Sequence, residues 1–112
     1  MQSQHPEDHY PQYMRDMLQR AGLLDAESLA ERLPDWTEEE LRAAFSPAYR
    51  AIRDRAIEVV ITESLVGLDG GEQALRIDGL PILISQDNWM FDVFAGPELL
   101  DRLVESMRPL RA

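Results

Sequence analysis

The sequence predicts one α+β domain: about four N-terminal helices, a three-stranded antiparallel meander and a C-terminal helix. Three observations carry that expectation. Apolar residues recur at intervals of three and four between Tyr10 and Leu65. The dipeptide Asp78-Gly79 joins two short apolar runs. After Gly96-Pro97-Glu98 the helical spacing returns.

The first helix is drawn by Tyr10, Tyr13, Met14, Met17, Leu18 and Ala21, with Pro11 suited to its first turn and Gly22 to its end. Residues 1–9 are polar and lack periodicity, which predicts a flexible tail ahead of a domain spanning 10–112. A second, short helix is expected with Asp25 as N-cap, Leu29 and Leu33 inside and Pro34 just past its end. The third start is written most fully. Thr37 and Glu40 form a T-x-x-E capping box, and Trp36 and Leu41 stand at the two positions of a hydrophobic staple. Pro47 interrupts the helical spacing beyond Phe45, and Ser46-Pro47 is itself an N-cap followed by a first-turn proline. A fourth helix is therefore expected from there to about Leu65, along Tyr49, Ile52, Ala56 and Val59. The β-branched content of residues 57–62 offers a strand as the competing reading.

Residues 73–77 and 80–85 form a predicted hairpin, because both central positions of a type I′ turn need positive φ and Asp-Gly supplies it. Pro81 has no N–H to give to a ladder, so it must face an open edge or fall outside the pairing. After a turn at 86–88, Trp89, Phe91 and Val93 alternate with Met90, Asp92 and Phe94, as in a third strand. Leu99, Leu100, Leu103, Val104 and Met107 make the stripe of the last helix, which Pro109 ends. The helices are expected on one face of the sheet. A three-stranded sheet has two edges, one of which commonly serves dimerisation, and with the apolar strand at 80–84 this suggests a two-fold homodimer.

The chain has 112 residues, 21 acidic and 11 basic, with a formal charge of −10 and no cysteine. Without Cys there is no disulfide framework, thiolate nucleophile or Cys-ligated metal centre, and the cytoplasm is the expected compartment. The longest apolar run, 80–84, falls far short of the roughly 20 residues of a membrane helix, and the N-terminus lacks the charge and apolar stretch of a signal peptide. Neither membrane insertion nor export is expected. The negative charge repels phosphate, which argues against direct binding to nucleic acid or an anionic membrane. All 11 basic residues are Arg, as codon usage in a GC-rich bacterial genome would give. The charge is uneven: residues 1–40 hold ten acids and three Arg, 41–66 three acids and four Arg, and 67–112 eight acids and four Arg.

Few residues offer chemistry. His5 and His9 flank the only His–carboxylate cluster, yet Pro6 opposes a helix there and no third His completes a ligand set. No metal and no cofactor are expected. Serine–histidine catalysis would have to recruit the same tail. Asp92, set among aromatic residues, is the candidate for acid–base work, against the commoner reading of a solvent-facing strand residue. Glu38, Glu39 and Glu40 are the densest acidic run; helix capping and the helix dipole account for it, with partner binding as the functional alternative. Arg50, Arg53 and Arg55, with Arg42 before them, are the only basic group, and a helical order ending in a hairpin also suits a winged helix. Asp54 among them and the acidic remainder oppose DNA binding. Trp89 and Phe91 are either core or a partner hot spot.

No catalytic constellation emerges, and the balance leans away from an enzyme. The leading expectation is a small acidic protein-binding module: a regulator, inhibitor or immunity protein, or an accessory subunit of a larger protein with a basic surface. It could act by imitating the charge of nucleic acid. The alternative is a small dimeric ligand-binding domain or acid–base enzyme, with a pocket between helices and meander that includes Asp92 and Tyr49 or Trp89. A winged-helix DNA-binding regulator is the third.

Overall fold

The computed structural model describes residues 10–67, 70–87 and 90–111; the expected tail and Trp89 lie outside them. Helix α1, Gln12–Ala21, buries Met14, Met17 and Leu18 as its stripe requires. Helix α2, Leu29–Arg32, begins three residues later than expected. Ser28, not Asp25, is its N-cap, and Ser28 with Glu31 forms a full capping box: the Glu31 N–H donates to Ser28 Oγ at 3.1 Å and the Ser28 N–H to Glu31 Oε1 at 2.8 Å.

Helix α3, Glu38–Arg55, starts on the predicted Thr37–Glu40 box, with Trp36 and Leu41 both buried beside it. It then runs through Pro47, so the expected fourth helix does not exist as a separate element. An interior proline costs about 3 kcal/mol. Against that, Leu41, Ala44, Phe45, Ala48 and Ile52 form one unbroken buried stripe, and full burial of a single large apolar side chain is worth roughly 1.5–3 kcal/mol. The stripe prevails.

The second correction concerns residues after Arg55. The chain leaves the helix at Ala56, and Val59–Gly67 is strand β1, followed by β2 (Gly70–Ile77), β3 (Leu80–Asp87) and β4 (Phe91–Ala95). The meander thus has four antiparallel strands in the order β1-β2-β3-β4, one more than expected. Its central hairpin is the predicted one: Asp78 and Gly79 have φ of 51° and 83° between the closing pair Ile77 and Leu80. Asp78 also reaches backwards. Its Oδ1 accepts the N–H groups of Ile57 at 2.8 Å and Glu58 at 2.9 Å, and its own N–H donates to the Glu58 carbonyl at 2.8 Å. Pro81 faces the β4 side one residue beyond Ala95, the last β4 partner of β3, so its missing N–H falls outside the ladder.

Helix α4, Pro97–Met107, buries Leu99, Leu100, Leu103, Val104 and Met107 as predicted and ends in a short 3₁₀ turn at Arg108–Leu110. The helices do not share one face of the sheet. Met14, Met17 and Leu18 of α1 pack with Ala74, Leu83 and Phe94, whereas α3 and α4 pack with Leu75, Ile82, Ile84 and Val93 on the other side. Strand β3 lies between β2 and β4, so its 80–84 segment offers no edge for a two-fold pairing. On the β4 side, Ser28 forms a bridge to Phe94 and α2 packs alongside. On the β1 side no strand or helix pairs among the described residues.

Asp78→Ala is expected to lose about 1–2 kcal/mol, since alanine resists positive φ and both amides of the α3–β1 junction lose their acceptor. Asp78→Asn keeps the turn preference and an acceptor, so it should lie within about 0.5 kcal/mol of the parent in urea unfolding.

Candidate functional site

The unpaired edge follows from the ladder. Among antiparallel partners, hydrogen-bonded pairs alternate with pairs whose backbone groups turn outward. Counting from the closing pair Ile77–Leu80, the amides of Ala74 and Arg76 face β1, which leaves Ile61, Ser64 and Val66 with N–H and C=O directed away from the sheet. Thr62 forms a bulge between Ile61 and Glu63, and its hydroxyl donates to the Ala74 carbonyl at 3.1 Å.

The side chains along this edge are apolar and exposed: Val60 at 43%, Ile61 at 53%, Leu65 at 47% and Val66 at 79%. The one charged residue of β1, Glu63, is held by both Nε and a terminal nitrogen of Arg20, at 2.8 and 2.7 Å. In a chain of net charge −10, β1 is an electrically neutral strip. Long, apolar open edges are what folded proteins ordinarily shorten, charge or cover. Among the described residues the bulge is the only such device along β1.

Beside the edge lies a cleft of about 650 Å³, between α3 and the α3-facing side of β1 and β2. Phe45, Tyr49, Arg50 and Arg53 line it from the helix, and Val59, Ser64, Val66, Gln73, Ile84 and Gln86 from the sheet. Phe45 and Tyr49 stack at 5.1 Å between ring centroids, and the Arg53 guanidinium sits 5.5 Å from the Tyr49 ring. The Tyr49 hydroxyl is buried, and among the described residues no group accepts its proton. Burial raises its pKa above the usual tyrosine value, with the nearby Arg53 guanidinium acting in the opposite direction.

The opposite face of the sheet carries a buried polar row. Register aligns Glu72, Ser85 and Asp92 across β2, β3 and β4. The Ser85 hydroxyl donates to Glu72 at 3.0 Å, and the Tyr13 hydroxyl of α1 also hydrogen-bonds Glu72. Asp92 is 8% exposed. Its Oδ1 accepts the Ala30 N–H at 3.1 Å and the Val93 N–H at 2.8 Å, and the Ser28 hydroxyl bonds it too. It ties the first turn of α2 to β4. Burial holds its carboxyl above the usual aspartate value; the three hydrogen bonds oppose that rise and the Glu31 charge adds to it. Asp92 and Tyr49 therefore lie on opposite faces of the sheet, and the structure does not bring them into one pocket.

The acidic run at the start of α3 divides. Glu38 accepts the Phe91 N–H at 3.1 Å and lies 3.5 Å from Arg42. Glu40 closes the capping box and pairs with Arg111, which holds its carboxyl below the usual range. Glu39 is exposed and forms no ion pair among the described residues. Phe91 is interior, 5.4 Å from the Phe45 ring and under the Arg42 guanidinium. Among the described residues no group of three His, Asp or Glu could hold a metal ion, and no helix is long and apolar enough to cross a membrane. Sequence reasoning missed the edge because it placed these residues in a helix; the β-branched run 57–62 was the signal available. Comparison with known proteins returns no matching family model, no matching curated protein and no matching solved structure.

Two stability measurements check these assignments. Native Asp92 binds its proton more tightly than the unfolded chain does, so its contribution to stability falls as pH rises from about 4 towards its raised native value. Asp92→Asn keeps an acceptor for Ala30 and removes that slope, so urea midpoints of the variant relative to the parent should improve from pH 4 to pH 7. Tyr49→Phe removes a buried hydroxyl that has no acceptor among the described residues and should stabilise the fold by about 1 kcal/mol.

Proposed function

We propose that this chain is a small acidic protein-binding module that holds a larger partner by accepting one of its extended segments along the outer edge of β1. The observation that carries this reading is the open strand itself, with outward backbone groups at Ile61, Ser64 and Val66 and exposed apolar side chains beside them. Strand addition uses such groups directly: main-chain hydrogen bonds give affinity, and alternate side chains give selectivity.

Charge selects the partner. A body of −10 attracts a basic protein and speeds its encounter. The neutrality of β1, with Glu63 cancelled by Arg20, leaves the contact strip itself without a charge to desolvate. A second copy of the chain would bring two bodies of the same sign together, which makes the homodimer the weaker occupant of this edge. Imitation of nucleic-acid charge would have to rest on Glu39 and scattered acids, since Glu38 and Glu40 are engaged internally. The regulatory, inhibitory or immunity, and accessory-subunit roles all share this mode of action. We place the module in the cytoplasm, where a chain without cysteine forgoes no disulfide stability.

Ser64→Pro removes one outward N–H and leaves the β1–β2 ladder bonds in place. In affinity capture from the native cells, a basic protein held by the parent and lost with Ser64→Pro supports strand addition. Amide exchange of the parent chain should slow at Ile61, Ser64 and Val66 on binding. Retention of the partner by Ser64→Pro, or a stable dimer of the chain alone that the same substitution dissolves, overturns the reading.

A further inference from the structure

The cleft beside α3 carries a second, separate inference, which does not depend on strand addition at β1. Its volume, about 650 Å³, is in the range of small-molecule sites, roughly 300–1,000 Å³. The chemistry of its lining is specific. Phe45 and Tyr49 present a stacked aromatic wall, and Val59 and Ile84 are the apolar residues of the sheet that line it beside them. Arg50 and Arg53 stand three residues apart on one face of α3, and neither forms an ion pair among the described residues. The Tyr49 hydroxyl is buried and has no acceptor among the described residues.

We propose that this cleft binds a monocarboxylate with an aromatic or branched apolar body. Guanidinium groups present planar, forked donors that match a carboxylate, and such charge-assisted bonds are strong when partly shielded from water. The apolar body covers the Phe45 and Tyr49 rings. A single negative charge is favoured over two, because Asp54 also lines the cleft and the whole chain is at −10, so each added charge meets further repulsion. The acid of Glu72 does not compete: it is turned to the other face of the sheet, under Ser85 and Tyr13.

The test is a proton–nitrogen correlation NMR titration of the full chain with phenylacetate, with uncharged phenylacetamide and dianionic phenyl phosphate as comparators. Phenylacetate is expected to give saturable shifts at Arg50, Arg53, Gln73 and Gln86. Phenylacetamide should bind about tenfold more weakly or worse, because it forfeits the charge-assisted bonds. The doubly substituted Arg50→Gln/Arg53→Gln chain should show the same loss. Both arginines are exposed, so these substitutions leave the core intact. Absence of saturable shifts with phenylacetate, shifts located away from the cleft, or equal affinity for the acid and the amide overturns the proposal. Tighter binding of phenyl phosphate than of phenylacetate overturns its charge assignment.

Discussion

The carboxylate of Asp78 accepts the amides of Ile57 and Glu58 while its own backbone holds the left-handed position of the β2–β3 turn. Two decisions meet in that residue. The turn sets the register of β2 against β3, and a slip of one position would reverse every side chain between the two helical layers. The captured amides mark where α3 has ended and β1 is about to begin. The register set by the turn aligns Glu72, Ser85 and Asp92 in one row across β2, β3 and β4, and with β1 drawn into the sheet β2 becomes interior and the outward groups of Ile61, Ser64 and Val66 become the open edge.

The two margins of the sheet are treated differently. Beside β4, Ser28 bridges to Phe94, α2 packs alongside, and Asp92 receives the Ala30 amide from the first turn of that helix. This closure has an energetic cost, seen in the raised pKa of a carboxyl that burial keeps from water. Among the described residues no comparable closure is built along β1, where a bulge at Thr62 and the Arg20–Glu63 pair are the only polar provisions. A fold that buries a carboxylate to close one edge and leaves the other apolar and bare has a difference in kind between them. Recognition by the bare edge is the physical use such a difference permits.

Features encoded by neighbours in sequence were legible. The Thr37–Glu40 box, the Asp78-Gly79 turn and the stripe of α4 each require only local geometry, and each stands where the residues put it. The errors arose where distant contacts decide. Pro47 reads as a helix start because its local cost is visible and the burial that offsets it, from Leu41 to Ile52, is not. The stretch after Ala56 continues a helical spacing, but its amides are captured by Asp78, some twenty residues away, and its β-branched side chains pair with β2. Without that strand, β2 and not β1 stands at the margin of the expected sheet. Asp92 stands out in the sequence by its aromatic neighbours. Its place opposite Tyr49, on the other face of the sheet, depends on strand parity and helix layering that no motif records.

Ser64 and Val66 belong to both proposed surfaces. Their side chains line the cleft by α3, while their backbone groups point out along the edge. A strand added to β1 would therefore run along the mouth of the cleft, with every second side chain on the side of Arg50 and Arg53. Whatever fills the cleft alters the surface that such a strand meets, and a bound strand alters access to the cleft. Any influence of one such ligand on the affinity of the other is reciprocal and equal in factor, whichever binds first. A carboxylate held by the arginines would also make this local surface more negative, and so bring the one basic stretch of the chain closer to the charge of the rest. For a basic partner, that change favours association at the edge. Occupancy of the cleft is then a means by which a small acid could tune protein recognition at β1.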